Sequence, residues 1–320
     1  ANCLVGSEMC IRDSLYTGKV ADTKFSNDRG FYQNPFNVTI SSKTNGATII
    51  YTTDGSKPTL ENGIKVTPID SNQETQAVVS INKTTPLRAA AFKEGLMPSN
   101  IDTQTYLFLE NVLDQPKRPE GYPFPWIARN GQSIEGDYEM DPNVVGKLYS
   151  RDELKESLLS LPTISIVTNK DNLFDSKSGI QVNPKDSGPD SEREISLEFL
   201  NFENSPNSQE NAGLRMNGNA SRLVSRPKHN LRVIFRGDYG EGTLNYPLFG
   251  KNAETERFNS FILRGGNGNS WIHPHRSVYE NAMYIRDQWF RDAHELMGYP
   301  EALQRAVSYT HLRAHETVRN

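Results

Sequence analysis

The stretch FNVTISSKTNGATIIYTTDGSKP, residues 36–58, decides the fold of the first third of the chain. Phe36, Val38 and Ile40 alternate with Asn37, Thr39 and Ser41, the period of a strand that buries one face. Asn45-Gly46 then turns the chain, and Thr48 to Thr53 forms the next strand. Asp54-Gly55 fits a tight turn because both residue types tolerate positive φ, and Pro58 keeps the chain from continuing as a central strand. The same pattern continues outward, with strands at Gln76 to Ile81, Leu87 to Phe92 and Thr103 to Phe108, the last two separated by Gly95 and Pro98. Short strands with turn chemistry at intervals of about 8–12 residues predict a β-sandwich.

Beyond residue 109 the composition changes. Pro116, Pro119, Pro123 and Pro125, with Gly121, Gly131 and Gly136, read as an extended connector. Tyr122, Phe124, Trp126 and Ile127 are too apolar for a free linker, so this segment is expected to lie against a domain. Ser150 and Glu153 have the spacing of a capping box, which predicts a helix over Ser150 to Leu159, stopped by Pro162. Strands are then expected at Thr163 to Thr168, Ile195 to Leu200, Gly213 to Met216, Asn230 to Arg236 and Phe258 to Leu263. A Gly- and Asn-rich loop from Gly265 to Ser270 leads to a long helix from about Ser277 to Met297, closed by Gly298 and Pro300. The expected fold class is therefore multidomain: an all-β, immunoglobulin/fibronectin-like sandwich over 15–109, a connector and helix over 110–160, and an α+β unit over 161–306.

With 320 residues, 35% apolar residues and a net charge of −4, the chain is an ordinary soluble type, and nothing in it points to nucleic acid. No apolar run is long enough to predict a transmembrane helix. The termini read differently from the rest. A DNA string that encodes LVGSEMCIRD, Leu4 to Asp13, gives in antisense VSYTHLRAHE, which is Val307 to Glu316. That relation is the mark of an inverted DNA adapter, so residues 1–14 and 307–320 are expected to stand outside the fold. Cys3 and Cys10 fall within the first of these segments, as His311 and His315 fall within the second, and none is read as a metal or disulfide site.

Two resemblances follow. Gly30-Phe31-Tyr32, Pro35-Phe36, Tyr51-Thr52, Asp54-Gly55-Ser56, Pro58-Thr59, Leu87-Arg88-Ala89, Ala91-Phe92, Gly95, Pro98-Ser99 and Thr105-Tyr106 resemble the C-terminal module of chitobiases and β-hexosaminidases. The later region is similar to the start of the CotH (spore coat protein H) kinase family, through Leu161-Pro162-Thr163-Ile164-Ser165, Asn172-Leu173-Phe174, Gly179-Ile180, Asn183-Pro184, Gly213-Leu214-Arg215, Gly218, Ser221-Arg222, Pro227-Lys228, Phe235-Arg236, Tyr246-Pro247-Leu248-Phe249, Leu263-Arg264 and Arg286-Asp287. It departs from that pattern at Asn219, where a second glycine is expected, and at Asn230, where serine is expected. This resemblance implies an atypical protein-kinase-like domain that uses ATP and Mg to phosphorylate protein hydroxyls. The family's catalytic and metal-binding aspartates lie past the helix, so residues 161–306 are expected to be its N-terminal part, inactive alone and without catalytic residues. The company such modules keep implies an exported or surface-associated bacterial protein, acting on a protein substrate or a cell-surface component.

Phosphoryl transfer needs phosphate positioning, metal ions and an aspartate to orient the acceptor. Only the first is expected here. The loop Asn217-Gly218-Asn219-Ala220-Ser221 has small residues that let backbone N–H groups approach an anion. Lys228 could then reach phosphate oxygens, with Arg222 the favoured arginine among Arg222, Arg226, Arg232 and Arg236. Asp287 could serve as the helix carboxylate that pairs with Lys228; a helix ion pair with Arg291 is the plainer account. Gly218, Ser221, Arg222, Lys228 and Asp287 are thus the expected nucleotide-binding residues. For Lys228 the plain alternative is a surface lysine beside a turn. His273-Pro274-His275 has no third ligand nearby and is not read as a metal site. Phe31 and Tyr32 are candidates for stacking on a sugar ring, against the alternative that they pack the sandwich edge. A non-catalytic adhesion or structural protein, or a carbohydrate-binding module, is the alternative reading of the whole.

Overall fold

The structure is a computed structural model that describes residues 16–316 apart from 137, 204, 220–221, 224–227, 251–252, 254, 266–275, 284–285, 300–304, 306 and 312–313. It is mostly β-sheet with few helices. Strands β1 (Thr23–Phe25), β3 (Phe36–Ser42) and β6 (Thr75–Ile81) form one sheet of the sandwich. Strands β2 (Gly30–Phe31), β8 (Asp102–Leu107), β7 (Thr85–Phe92), β4 (Thr48–Thr52) and β5 (Ile64–Val66) form the other, in that order. The alternation in 36–41 becomes the register Val38↔Val79 and Ile40↔Ala77. These inward residues meet Ile49, Leu87, Ala89 and Tyr106 from the opposite sheet in one core.

After α1 (Leu109–Leu113) the connector forms the small β9 (Trp126–Ile127) and β10 (Ser133–Ile134) pair. It packs on the second domain: Trp126 lies 5.3 Å from Phe174, and its Nε1 donates to Tyr138 Oη at 2.6 Å. Arg129 fixes the next turn, its backbone N–H donating to Asn183 Oδ1 at 3.0 Å and its guanidinium to Asp186 at 2.6 Å. Helix α2 (Arg151–Leu159) carries the capping box of Ser150 and Glu153.

The second domain is built on a sheet ordered β17 (Ser260–Leu263), β14 (Asn230–Ile234), β13 (Ser208–Asn217), β12 (Arg193–Leu200), β11 (Thr163–Val167), β18 (Ser308–His311), β19 (Ala314–Glu316). Helix α3 (Lys170–Phe174), the small pair β15 (Leu244–Asn245) and β16 (Arg257–Phe258), and the connector cover one face. There Ile164, Ile166, Ile195, Leu197, Phe199, Leu214 and Val233 form the larger core.

One expectation is corrected. The helix expected over Ser277 to Met297 appears as α4 (Arg276–Tyr279) and α5 (Arg286–Leu296). The Asn281 carboxamide donates to the Ser277 carbonyl at 3.0 Å, competing for the acceptor that a continuing helix would offer to the Asn281 backbone. Residues Ser308–His311, within the segment read as translated adapter, form β18, which runs parallel to β11 with Thr163 opposite Ser308. An open strand edge offers unpaired backbone groups to any extended segment, and Ser308 N–H also donates to the Pro162 carbonyl at 2.9 Å.

Candidate functional site

Of the expected phosphate-binding residues, Gly218, Lys228 and Asp287 lie at one end of the second sheet. β13 and β14 form an antiparallel pair with Asn217 opposite Asn230, so the segment 218–229 connects them at that end. Gly218 opens it with φ +99°, a conformation that favours glycine, and this makes the sharp exit from β13. Lys228 closes it. The neighbouring strand β17 ends at the same place, where Gly265 N–H donates to Asn230 Oδ1 at 2.7 Å. A Cβ at Gly265 would lie 3.2 Å from Lys228 Cγ, so the lysine stem runs over this glycine. Next to it, Arg264 forms an ion pair with Asp287 of α5.

Asp287 is thus brought to the sheet end, but its partner is Arg264 and not the expected Arg291. The Arg222 backbone N–H donates to the Asn219 carbonyl at 3.0 Å, while its guanidinium reaches out of the segment to the Asp186 carbonyl at 3.4 Å. Ser221, Arg226 and His273-Pro274-His275 lie outside the described residues. Arg232 and Arg236 do not join the site. Arg232 donates to Ser260 Oγ at 3.0 Å, and Arg236 follows the far end of β14, where it donates to Glu192 Oε1 at 3.0 Å. Alternation along β14 turns Arg232 outward, and the length of the strand carries Arg236 away from Lys228.

That far end holds a second polar cluster, which sequence reasoning missed. The side chain of Glu192 is 6% exposed and also accepts from Arg215 Nε at 2.5 Å. Burial, followed by the hydrogen bond to Glu192, lifts the Tyr239 hydroxyl to about 12. Gly213 makes the cluster possible, since a Cβ there would meet Glu192 Oε1 at 2.6 Å. The Gly213-Leu214-Arg215 motif was the visible signal; its carboxylate partner 23 residues away was not.

In the sandwich, Phe31 and Tyr32 both make packing contacts. Tyr32 stacks on Phe36 at a centroid distance of 4.3 Å, edges Tyr106 at 5.6 Å and donates its hydroxyl to the Asp28 carbonyl at 2.6 Å. Phe31 packs with Leu109, Val112 and Leu158. Both are half-buried, and these contacts pack the sandwich edge.

Among the described residues no three His, Cys, Asp or Glu side chains group to hold a metal, and no helix is long and apolar enough to cross a membrane. Residues 27–103 match the chitobiase/beta-hexosaminidase C-terminal domain family. The sandwich is therefore a domain of that kind, on a match that covers less than half of the chain. No curated protein matches the sequence. Among solved structures, the extracellular domains 3–5 of Drosophila OTK align over 77% of this chain and 88% of their own, at 9% identity and a TM-score of 0.21. A likeness that weak carries no argument.

Proposed function

We propose that the chain is part of an exported or surface-associated protein whose second domain is the N-terminal part of a CotH-type kinase domain, holding nucleotide phosphates at the sheet end formed by Gly218, Lys228 and Gly265. The observation that carries this reading is the convergence there of a positive-φ glycine turn, a lysine stem laid over a second glycine, and the helix residue Asp287 with Arg264. A backbone free of side chains and a flanking ammonium suit a phosphate anion. Mg fits less well, because the carboxylate of Asp287 is already taken by Arg264.

The test is a thermal shift of the whole chain with ATP, with and without Mg, beside Lys228→Ala. Binding to the folded state raises the melting temperature by mass action. A shift that Lys228→Ala abolishes supports the reading; no shift, or one that the variant leaves intact, sinks it. A second reading, a carbohydrate-associated module, is favoured by the family match over 27–103. Retention of the chain on chitin or another immobilised glycan would support it, and elution in the wash would count against it.

A further inference from the structure

The sandwich and the second domain meet along a feature that neither resemblance accounts for. Strand β8 pairs with β7 on one edge, and β2 covers only Tyr106 and Leu107 on the other. Alternate residues of a strand direct their backbone groups to the same edge. Leu107 accepts there from Tyr32 N–H at 2.8 Å, which places the amides of Thr103 and Thr105 on the part that β2 leaves uncovered. Exposed strand edges are sites of unwanted pairing, and their donors need partners once buried.

Side chains of the second domain meet that need. Thr105 N–H donates to Glu198 Oε1 of β12 at 2.9 Å, and Thr103 N–H donates to Gln209 Oε1 of β13 at 2.9 Å. The Thr105 hydroxyl donates to the other Glu198 oxygen, and the Ser165 hydroxyl also hydrogen-bonds this carboxylate. Arg29 completes the seam: its Nε lies 3.2 Å from Glu198 Oε1, its guanidinium donates to the Thr103 carbonyl at 3.0 Å, and its own carbonyl accepts from Asn207 Nδ2 at 3.2 Å. The Glu198 side chain is 0% exposed and that of Arg29 12%. Partners this far apart in sequence, on two different domains, do not converge on one carboxylate by local folding.

We propose that the uncovered edge of β8 is a built docking surface for the second domain, with Glu198 and Gln209 acting as a latch that stands in for a missing strand and makes the two domains open together. On this inference the sandwich is an integral part of the second domain's structure and not a tethered spacer. It stands independently of the nucleotide reading.

The test is amide hydrogen exchange of the full chain, read at Thr103 and Thr105, in the natural sequence, Glu198→Gln and Gln209→Ala. Glu198→Gln takes the charged acceptor away from the Thr105 amide, offering only a neutral carboxamide in its place, and leaves Arg29 without its charge partner. Gln209→Ala removes the acceptor of the Thr103 amide, together with the Gln209 Nε2 donation to Asn211 Oδ1 at 3.2 Å within β13, at a half-buried position that tolerates truncation. Losing a hydrogen bond to a charged group corresponds to roughly tenfold to a hundredfold in an opening equilibrium. The expected result is faster exchange by about that factor at Thr105 in Glu198→Gln, and a smaller acceleration at Thr103 in Gln209→Ala, with the β4–β7 ladder unchanged in both. Unchanged rates at Thr103 and Thr105 in both variants would overturn the latch, as would a natural chain whose β8 amides exchange while the second domain stays closed. If Glu198→Gln fails to fold, Gln209→Ala alone decides.

Discussion

Replacing Gly213 by alanine tests whether the glycine of the Gly213-Leu214-Arg215 motif is there for the carboxylate it faces. Gly213 lies in β13 opposite Ile234, and a Cβ on it would sit 2.6 Å from Glu192 Oε1 and 2.8 Å from Glu192 Cδ and Cγ. No real side chain tolerates such contacts, so Glu192 must leave its place. It then gives up Arg215, whose side chain is 20% exposed, and Arg236, which is 47% exposed. A hydrogen bond to a charged group in a largely buried setting contributes about 1.5–3 kcal/mol, and an exposed ion pair about 0.2–1 kcal/mol. Gly213→Ala should therefore destabilise the chain by about 2–4 kcal/mol. Urea unfolding followed by the fluorescence of buried Trp126 gives the number, and repeating it in a Glu192→Ala background isolates the cause. There the new methyl has nothing to displace, and its cost should fall below about 1 kcal/mol, since alanine is no worse than glycine in a strand interior. An equal cost in both backgrounds would refute the reasoning.

Gly179→Ala should be more damaging than any other glycine change in the second domain, because its Cβ would meet the Leu173 carbonyl at 2.5 Å and the Asp175 backbone at 2.6 Å, atoms that cannot rotate away; a yield of soluble protein equal to that of the natural chain would count against this. Phe199→Ala removes a fully buried ring stacked 4.5 Å from Tyr246 and edged by Phe202, and should cost about 3–5 kcal/mol in the same urea experiment. The Ser150 hydroxyl and backbone N–H hold the Glu153 carboxyl below the usual carboxylate range. That contribution is complete above the ordinary glutamate value of about 4.3 and is lost as pH falls through the depressed folded value, so amides in the first turn of α2 should begin to exchange faster only below that range.

The sandwich was legible because alternation and turn chemistry are local. Residues 36–41 sit in β3 with Val38 and Ile40 inward, and β6 alternates buried and exposed along its whole length. The capping box of α2 was legible for the same reason. Strand β13 was expected to begin at Gly213 but begins at Ser208, since residues 208–211 are polar and enter the sheet by pairing with β12. The break between α4 and α5 depends on where one Asn281 side chain points, which composition does not record. At the candidate site, the sequence placed Gly218 and Lys228 at one strand connection. It could not place Gly265 beside them, because that neighbour comes from the pairing of β14 with β17.

Strand β12 shows why the seam between the domains was invisible. Ile195, Leu197 and Phe199 alternate with Ser196 and Glu198, the pattern of a strand with one face in water. In the structure both faces are buried: the apolar face closes the larger core, and the polar face lies against the sandwich. A polar face buried in this way demands specific partners, and that demand fixes orientation more strictly than an apolar face would. Replacing a buried ion pair with apolar side chains often costs no stability, so the seam's charge is better understood as setting the register. A slip of β8 by one residue would turn the Thr103 and Thr105 amides toward β7 and leave the Glu198 carboxylate buried without its donors, at a cost of several kcal/mol. Only one placement of the sandwich on the sheet avoids that cost, and it is the one that the latch variants would release.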